Sequence, residues 1–224
     1  MKRGGLGIGI GVVAVAVVAI GVSVLLERST AGERADDGRV VVVLDAGHGG
    51  SDPGAIHGGV EEADVNLDLL HYVIALIEAD GRMRAIATRT TDVYLELKER
   101  TAVANDVDAE LYLSIHCNAS VAYPEAAGVL TLVSDTVTSG DASWQFAEIL
   151  QGAVTSATGA RDRGVCTQEL YMHRATMPAA LIEVGFLTNE AERVMLVDPA
   201  YQQVIAQGIY EGIVAYFTYI DPSF

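Results

Sequence analysis

Positive charge is scarce in this chain. Against 30 Asp and Glu there are 14 Lys and Arg, a formal net charge of −16 at pH 7. Nucleic-acid phosphates are held by cationic side chains, so no nucleic-acid partner is expected. Cysteine is scarcer still, with only Cys117 and Cys166, too few for a disulfide scaffold. In an exported domain these two could pair; the simpler expectation is two separate thiols. No internal repeat and no low-complexity tract is evident. The His-Glu-x-x-His spacing of helical metalloproteases is also absent, so any metal ligands must be gathered by the fold from distant parts of the chain. What the chain has in quantity is apolar residues, 50% of 224, enough for a sizeable core in one domain plus an appendage.

Charge is missing again from Gly4 to Leu26, a run of Val, Ala, Ile and Gly behind Met1-Lys2-Arg3. About 20 apolar residues suffice to span a bilayer. A cleaved signal would have a shorter apolar stretch and a small-x-small site, and Glu27 to Ala31 offers none. Residues 1–28 are therefore expected to be a signal anchor, with Lys2 and Arg3 keeping the N-terminus in the cytoplasm and the rest outside. Secretion after signal cleavage is the alternative. The polar stretch over 29–38 reads as a linker, and 39–224 as the folded domain.

Within that domain, short apolar runs alternate with helical patterns. Strands are expected at Val40–Leu44, Met83–Thr88, Glu110–His116, Gly128–Val133, Thr167–Tyr171 and Ala179–Glu183. Helices are expected over Asp64–Ala79, stopped by Gly81, and over Leu95–Asn105, Ser143–Thr158, Asn189–Leu196 and Pro199–Tyr219. This alternation predicts an α/β fold: a mostly parallel or mixed twisted sheet of about six strands with helices on both faces.

Three ionisable residues stand at or just beyond the ends of strand-like runs. His48 lies in the glycine-dense loop Asp45-Ala46-Gly47-His48-Gly49-Gly50, where the backbone can turn sharply. His116 ends Leu111 to His116, and Glu183 ends Ala179 to Glu183. In a parallel sheet such positions converge on one edge. Glu183, after Ala-Leu-Ile, is expected to be buried and so to need a partner or a role. An ion pair with an arginine such as Arg100 is the bland alternative.

The chain resembles the zinc-dependent N-acetylmuramoyl-L-alanine amidases of the bacterial cell wall, the Amidase 3 family. The motifs that carry the resemblance are LDAGHGGSDPGA (Leu44 to Ala55), EADVNL (Glu62 to Leu67), TRTTD (Thr88 to Asp92), ERTAVAN (Glu99 to Asn105), SIHCNAS (Ser114 to Ser120), RGV (Arg163 to Val165) and MPAALIEVGFLTN (Met177 to Asn189). They come in the family's order. The resemblance implies one Zn²⁺ held by His48, Glu62 and His116. Two His and one Glu form a common catalytic zinc set. Glu61 competes for the carboxylate role, and the family's Glu-x-Asp-x-Asn pattern selects Glu62.

Glu183 would then be the catalytic carboxylate, and the substrate peptidoglycan, cut between N-acetylmuramic acid and L-alanine of the stem peptide. Asn118, Ser120, His57 and Arg100 are expected substrate contacts. His71 and His173 have solvent or groove-lining readings. The small size, single anchor and lack of wall-binding repeats resemble spore-cortex amidases, which act with an accessory protein activator. Another zinc-dependent wall peptidase or deacetylase, or a membrane-tethered wall-binding protein without activity, are the competing functions.

Overall fold

The structure is a computed structural model and describes residues 37–224. The expected anchor and most of the linker lie outside the described residues. Among the described residues no helix is long and apolar enough to cross a membrane.

Three largely apolar runs make the centre of the sheet. Strands β1 (Val40–Ala46), β5 (Leu111–Asn118) and β8 (Ala179–Phe186) are buried along nearly their whole length, as strands covered on both faces must be. They lie side by side and parallel, with β4 (Met83–Ala87) outside β1. Strand β6 (Val129–Ser134) pairs antiparallel with β8, and β7 (Asp162–Gln168) runs parallel to β6 at the edge. The order is β4-β1-β5-β8-β6-β7. Because β6 and β7 run against the rest, their carboxyl ends lie at the opposite edge from those of β1, β5 and β8. A separate two-residue ladder, β2 (Ile56–His57) with β3 (Val60–Glu61), was not legible in the sequence.

Helices cover both faces, unequally. On one face α1 (Glu62–Asp80), α3 (Ala142–Thr158) and α5 (Pro199–Ile220) bury the main core, including Leu69, Leu113, Ile115, Phe146, Leu150, Ile182, Ile209 and Tyr216. Their ends obey the expected chemistry: Gly81 closes α1 in a left-handed conformation, and Pro199 opens α5 behind the Asp198 cap. Asn189 caps the short α4 (Glu190–Leu196). Among the described residues the other face has only α2 (Leu97–Asp106) and a 3₁₀ turn, Tyr171–Arg174, over a smaller cluster around Val43, Tyr112, Met172 and Leu181.

Two expectations are corrected. The strand placed at Thr167–Tyr171 is instead Asp162–Gln168, followed by the 3₁₀ turn. It is an edge strand with exposed Asp162, Arg163, Thr167 and Gln168, so it has no apolar signature to find. Helix α1 starts at Glu62 rather than Asp64, which puts the proposed carboxylate ligand in its first turn. Cys117 is buried on β5 and Cys166 exposed on β7, and both thiols are free.

Candidate metal centre

The carboxyl ends of β1 and β5 and the start of α1 meet at one place. Beyond Ala46 the chain turns through Gly47 to Gly50. His48 itself takes the left-handed conformation, φ 62°, and Gly49 and Gly50 follow with positive φ. A residue with a Cβ in that region is held there by its surroundings. The surroundings are two arginines. Arg100, 4% exposed, donates from Nη1 to the Ala46 carbonyl at 2.8 Å and from Nη2 to the His48 carbonyl at 2.7 Å. Arg89 donates to the Ala46 and Gly47 carbonyls at 2.8 and 3.1 Å.

Glu62 stands between the two imidazoles. Its Oε1 lies 2.8 Å from Nδ1 of His116 and 3.3 Å from Nε2 of His48. The two rings meet edge to face with centroids 5.0 Å apart, and one donor atom from each of the three residues lies within 4.8 Å of the others. Glu62 is buried while Glu61 is exposed. The register of the β2–β3 ladder, Ile56 opposite Glu61, separates them. The Glu62 carboxylate also accepts from the main-chain N–H of Ala55 and Cys117 and from Asn66 Nδ2. On its far side the His48 ring meets Asp52 Oδ2 at 2.8 Å through Nδ1, a contact that orients the ring and frees Nε2 for a cation.

Space for the rings is made by missing side chains. A Cβ on Gly47 would stand inside the His116 imidazole, and one on Gly54 would come within 2.7 Å of both Glu62 Oε2 and His48 Cδ2. The donor set, two imidazoles and a carboxylate with carboxylate and carbonyl support behind them, fits a borderline cation of the zinc type. Burial disfavours charge on His48, but the hydrogen bonds and charges of Glu62 and Asp52 outweigh it and raise the metal-free imidazole to about 9. Burial likewise opposes ionisation of Glu62, yet the His116 and His48 contacts hold its carboxyl far below the usual carboxylate range.

Glu183 faces the same place. It is opposite His116 in the β5–β8 register, and its Oε2 is buried with no hydrogen-bond partner. Burial, opposed by His116 and His48 and reinforced by Glu62, pushes its carboxyl up to about 7. No ion pair with Arg100 forms, because Arg100 is matched by Asp45 at 2.8 Å, with both side chains almost fully buried. His48, His116 and Glu183 open into a cavity of about 540 Å³ that runs along the thinly covered sheet face, past Ser114, Tyr112 and Leu181, beneath Tyr94, Leu97, Tyr171 and Met172.

The other expected contacts are placed less centrally. Arg100 reaches the cavity wall, but all its described hydrogen bonds go to Asp45 and the carbonyls of Leu95, Ala46 and His48; it supports the ligand loop. Asn118 ends β5 and its Oδ1 accepts from the N–H of Ala119, while Ser120 ties the following turn to Thr188 and Tyr123. His57 is half-buried at the end of β2, opposite Val60. None of these three lines the cavity. His71 is exposed on α1 against the Thr90 carbonyl, and His173 is exposed on the 3₁₀ turn. Sequence reasoning missed Asp52, Asp45 and Arg89. Asp52 acts on the His48 ring from outside the ligand set, while Asp45 and Arg89 act on the loop or its supports, and the spacing carries no mark of either.

The N-acetylmuramoyl-L-alanine amidase profile, Amidase_3, matches residues 42–215. A germination-specific N-acetylmuramoyl-L-alanine amidase of Bacillus subtilis is 32% identical over 198 residues, covering 80% of each chain. Among solved structures, the catalytic domain of the amidase CwlV from Bacillus (Paenibacillus) polymyxa superposes with a TM-score of 0.74 at 36% identity, over 80% of this chain and 98% of that one. The CwlD amidase of Clostridioides difficile, solved in complex with the GerS lipoprotein, superposes with a TM-score of 0.75 at 30% identity, over 81% and 100%.

Proposed function

The chain belongs to the N-acetylmuramoyl-L-alanine amidase family, and from that membership we propose how its residues cut the bond between N-acetylmuramic acid and the L-alanine of the stem peptide. The observation that carries the reading is the convergence of His48, His116 and Glu62, with the unpartnered Glu183 carboxylate beside them at one cavity.

His48 Nε2, His116 Nδ1 and a Glu62 oxygen would hold one zinc ion. When bound, that ion supplies Lewis acidity toward the scissile carbonyl and acidifies water beside it. Glu183 accepts the proton of the attacking water on its free oxygen. The water oxygen bonds to the lactyl carbonyl carbon, the carbon–nitrogen bond breaks, and Glu183 delivers the proton to the departing alanine nitrogen. A carboxyl held near neutrality by burial can do both. Asp52 keeps the His48 ring turned, and Arg100 and Asp45 hold the loop beneath it. Asn118 at the end of β5, Ser120 just past it, and His57 at the end of β2 are assigned to the substrate rim.

The apolar run of residues 4–26 supports a single-pass membrane anchor with the domain outside the cytoplasm, where peptidoglycan lies. Likeness to the germination-specific relative supports a role in sporulation, and the lipoprotein bound to the C. difficile structure supports an accessory activator. Digestion of purified peptidoglycan by the full-length chain, with and without zinc, tests the chemistry. Mass spectrometry is expected to find intact stem peptides with a free L-Ala amino terminus. Cleavage inside the stem peptide, loss of acetyl groups, or no product at all would support the peptidase, deacetylase and non-catalytic alternatives respectively.

A further inference from the structure

We propose that Arg89 is a positioning residue of the metal centre, tying the loop that presents His48 to the start of the helix that presents Glu62. Its side chain comes from the segment after β4, far in sequence from either ligand, and is 3% exposed. The guanidinium donates from Nε to the Ala46 carbonyl at 2.8 Å and from Nη2 to the Gly47 carbonyl at 3.1 Å. The same Nη2 donates to the Ala63 carbonyl at 2.8 Å, and Nη1 to that of Thr91 at 3.1 Å. Ala46 and Gly47 immediately precede His48, and Ala63 immediately follows Glu62. One rigid planar group therefore measures the separation of two ligand-bearing segments.

All four of its described acceptors are main-chain carbonyls. Burying a guanidinium on neutral acceptors is costly, so the arrangement is not explained by an ion pair. A fan of donors in one plane is what arginine offers and lysine, with a single nitrogen, does not. The loop is shaped to receive it. Gly49 has φ 127°, and a Cβ there would meet the Val93 carbonyl at 2.4 Å and Arg89 Nε at 3.0 Å. His48 sits in its left-handed conformation directly between the carbonyls that the two arginines hold. None of Arg89's described hydrogen bonds goes to a ligand side chain; it acts through the backbone that aims them.

The inference rests on reading His48, Glu62 and His116 as a zinc centre, and its test separates the two. Full-length wild type, Arg89→Lys and Arg89→Gln are stripped by chelation, checked for folding by thermal melts, and titrated with zinc against a chromophoric competitor. The Gln variant carries no buried charge and serves if the Lys variant does not fold. Both are expected to bind zinc about 10–100-fold more weakly than wild type, the range for residues that orient ligands, with KM little changed at saturating zinc. Ile209→Ala, in the core on the opposite face, is the comparison: it should lower the melting temperature and leave zinc affinity within about twofold, taking the ligand-orienting range as the scale. Arg89 variants with wild-type affinity overturn the proposal. So does an equal loss of affinity in Ile209→Ala, which would make the effect general destabilisation. Wild type that binds no zinc removes the metal centre itself, and this inference with it.

Discussion

Glu183 and His116 are cross-strand neighbours: the parallel register of β8 against β5 places them side by side on the same sheet face. Successive residues of a strand point to opposite faces. The pairing therefore fixes which acid can serve the centre that His116 helps to form, and it leaves the Glu183 carboxylate oxygen with no other partner.

Replacing Glu183 by Gln should lower kcat by about 10²–10⁴-fold, the usual contribution of general acid–base catalysis. Zinc stoichiometry should be unchanged, because Glu183 is not one of the three ligands. Elemental analysis alongside muropeptide assays checks both halves; loss of zinc in the variant would contradict this division of labour.

The same carboxyl predicts a pH effect on the metal-free protein. Its pKa is raised in the fold to about 7 from an ordinary 4.5. Between those values the folded state holds a proton that the unfolded state has lost. Stability from this group is thus fully present below about 4.5 and declines as pH rises towards about 7. Melting curves of stripped wild type should show this decline, and stripped Glu183→Gln should lack it.

Metal removal should destabilise the wild-type protein, since a ligand bound only by the folded state adds to its stability. A chelator is expected to lower the melting temperature of wild type and to have little effect on His116→Ala. Equal curves for wild type with and without chelator, together with no bound zinc, would count against the centre.

Gly47→Ala is expected to cost at least about tenfold in zinc affinity, comparable to losing a ligand-orienting contact. The added Cβ has nowhere to go but into the His116 ring, so the imidazole must leave its place. Zinc titration of this variant checks the effect, and a wild-type affinity would show that the loop can yield.

Asp45→Asn should destabilise the fold by about 3–5 kcal/mol, because it leaves the Arg100 guanidinium buried without its counter-charge. Burial works against the Asp45 carboxylate, but Arg100, Thr88 and Ser114 together hold its pKa below the ordinary 3.8. A depressed carboxyl contributes stability above its unfolded value and loses it as pH falls through the folded one. The acid limb of denaturation should accordingly be shallower in Asp45→Asn, as chemical unfolding below about pH 4 would reveal.

Much of the architecture was legible because its central elements are extreme. Runs such as Val40–Leu44 and Leu111–Ile115, short and apolar, read as strands buried on both faces, and α1 and α5 carry their stops and starts in Gly81 and Pro199. The edge was not legible. Strand β7 is half solvent and carries Asp162, Arg163 and Gly164, and only pairing with β6 makes it a strand. The antiparallel insertion of β6 beside β8 has no local cause either.

The residue types by themselves determined the chemistry: two histidines and a glutamate at the ends of apolar segments, a second glutamate after another, and a motif order that names the family. Tertiary structure decided which neighbours those groups have. Burial of Glu62 beside an exposed Glu61 agreed with the choice the motif had made, and the fold gave Arg100 to Asp45 rather than to Glu183 and set Arg89 against carbonyls on two segments. Those choices depend on register and on what lies within about 3 Å in space, the reach of a hydrogen bond, and neither quantity is written along the chain.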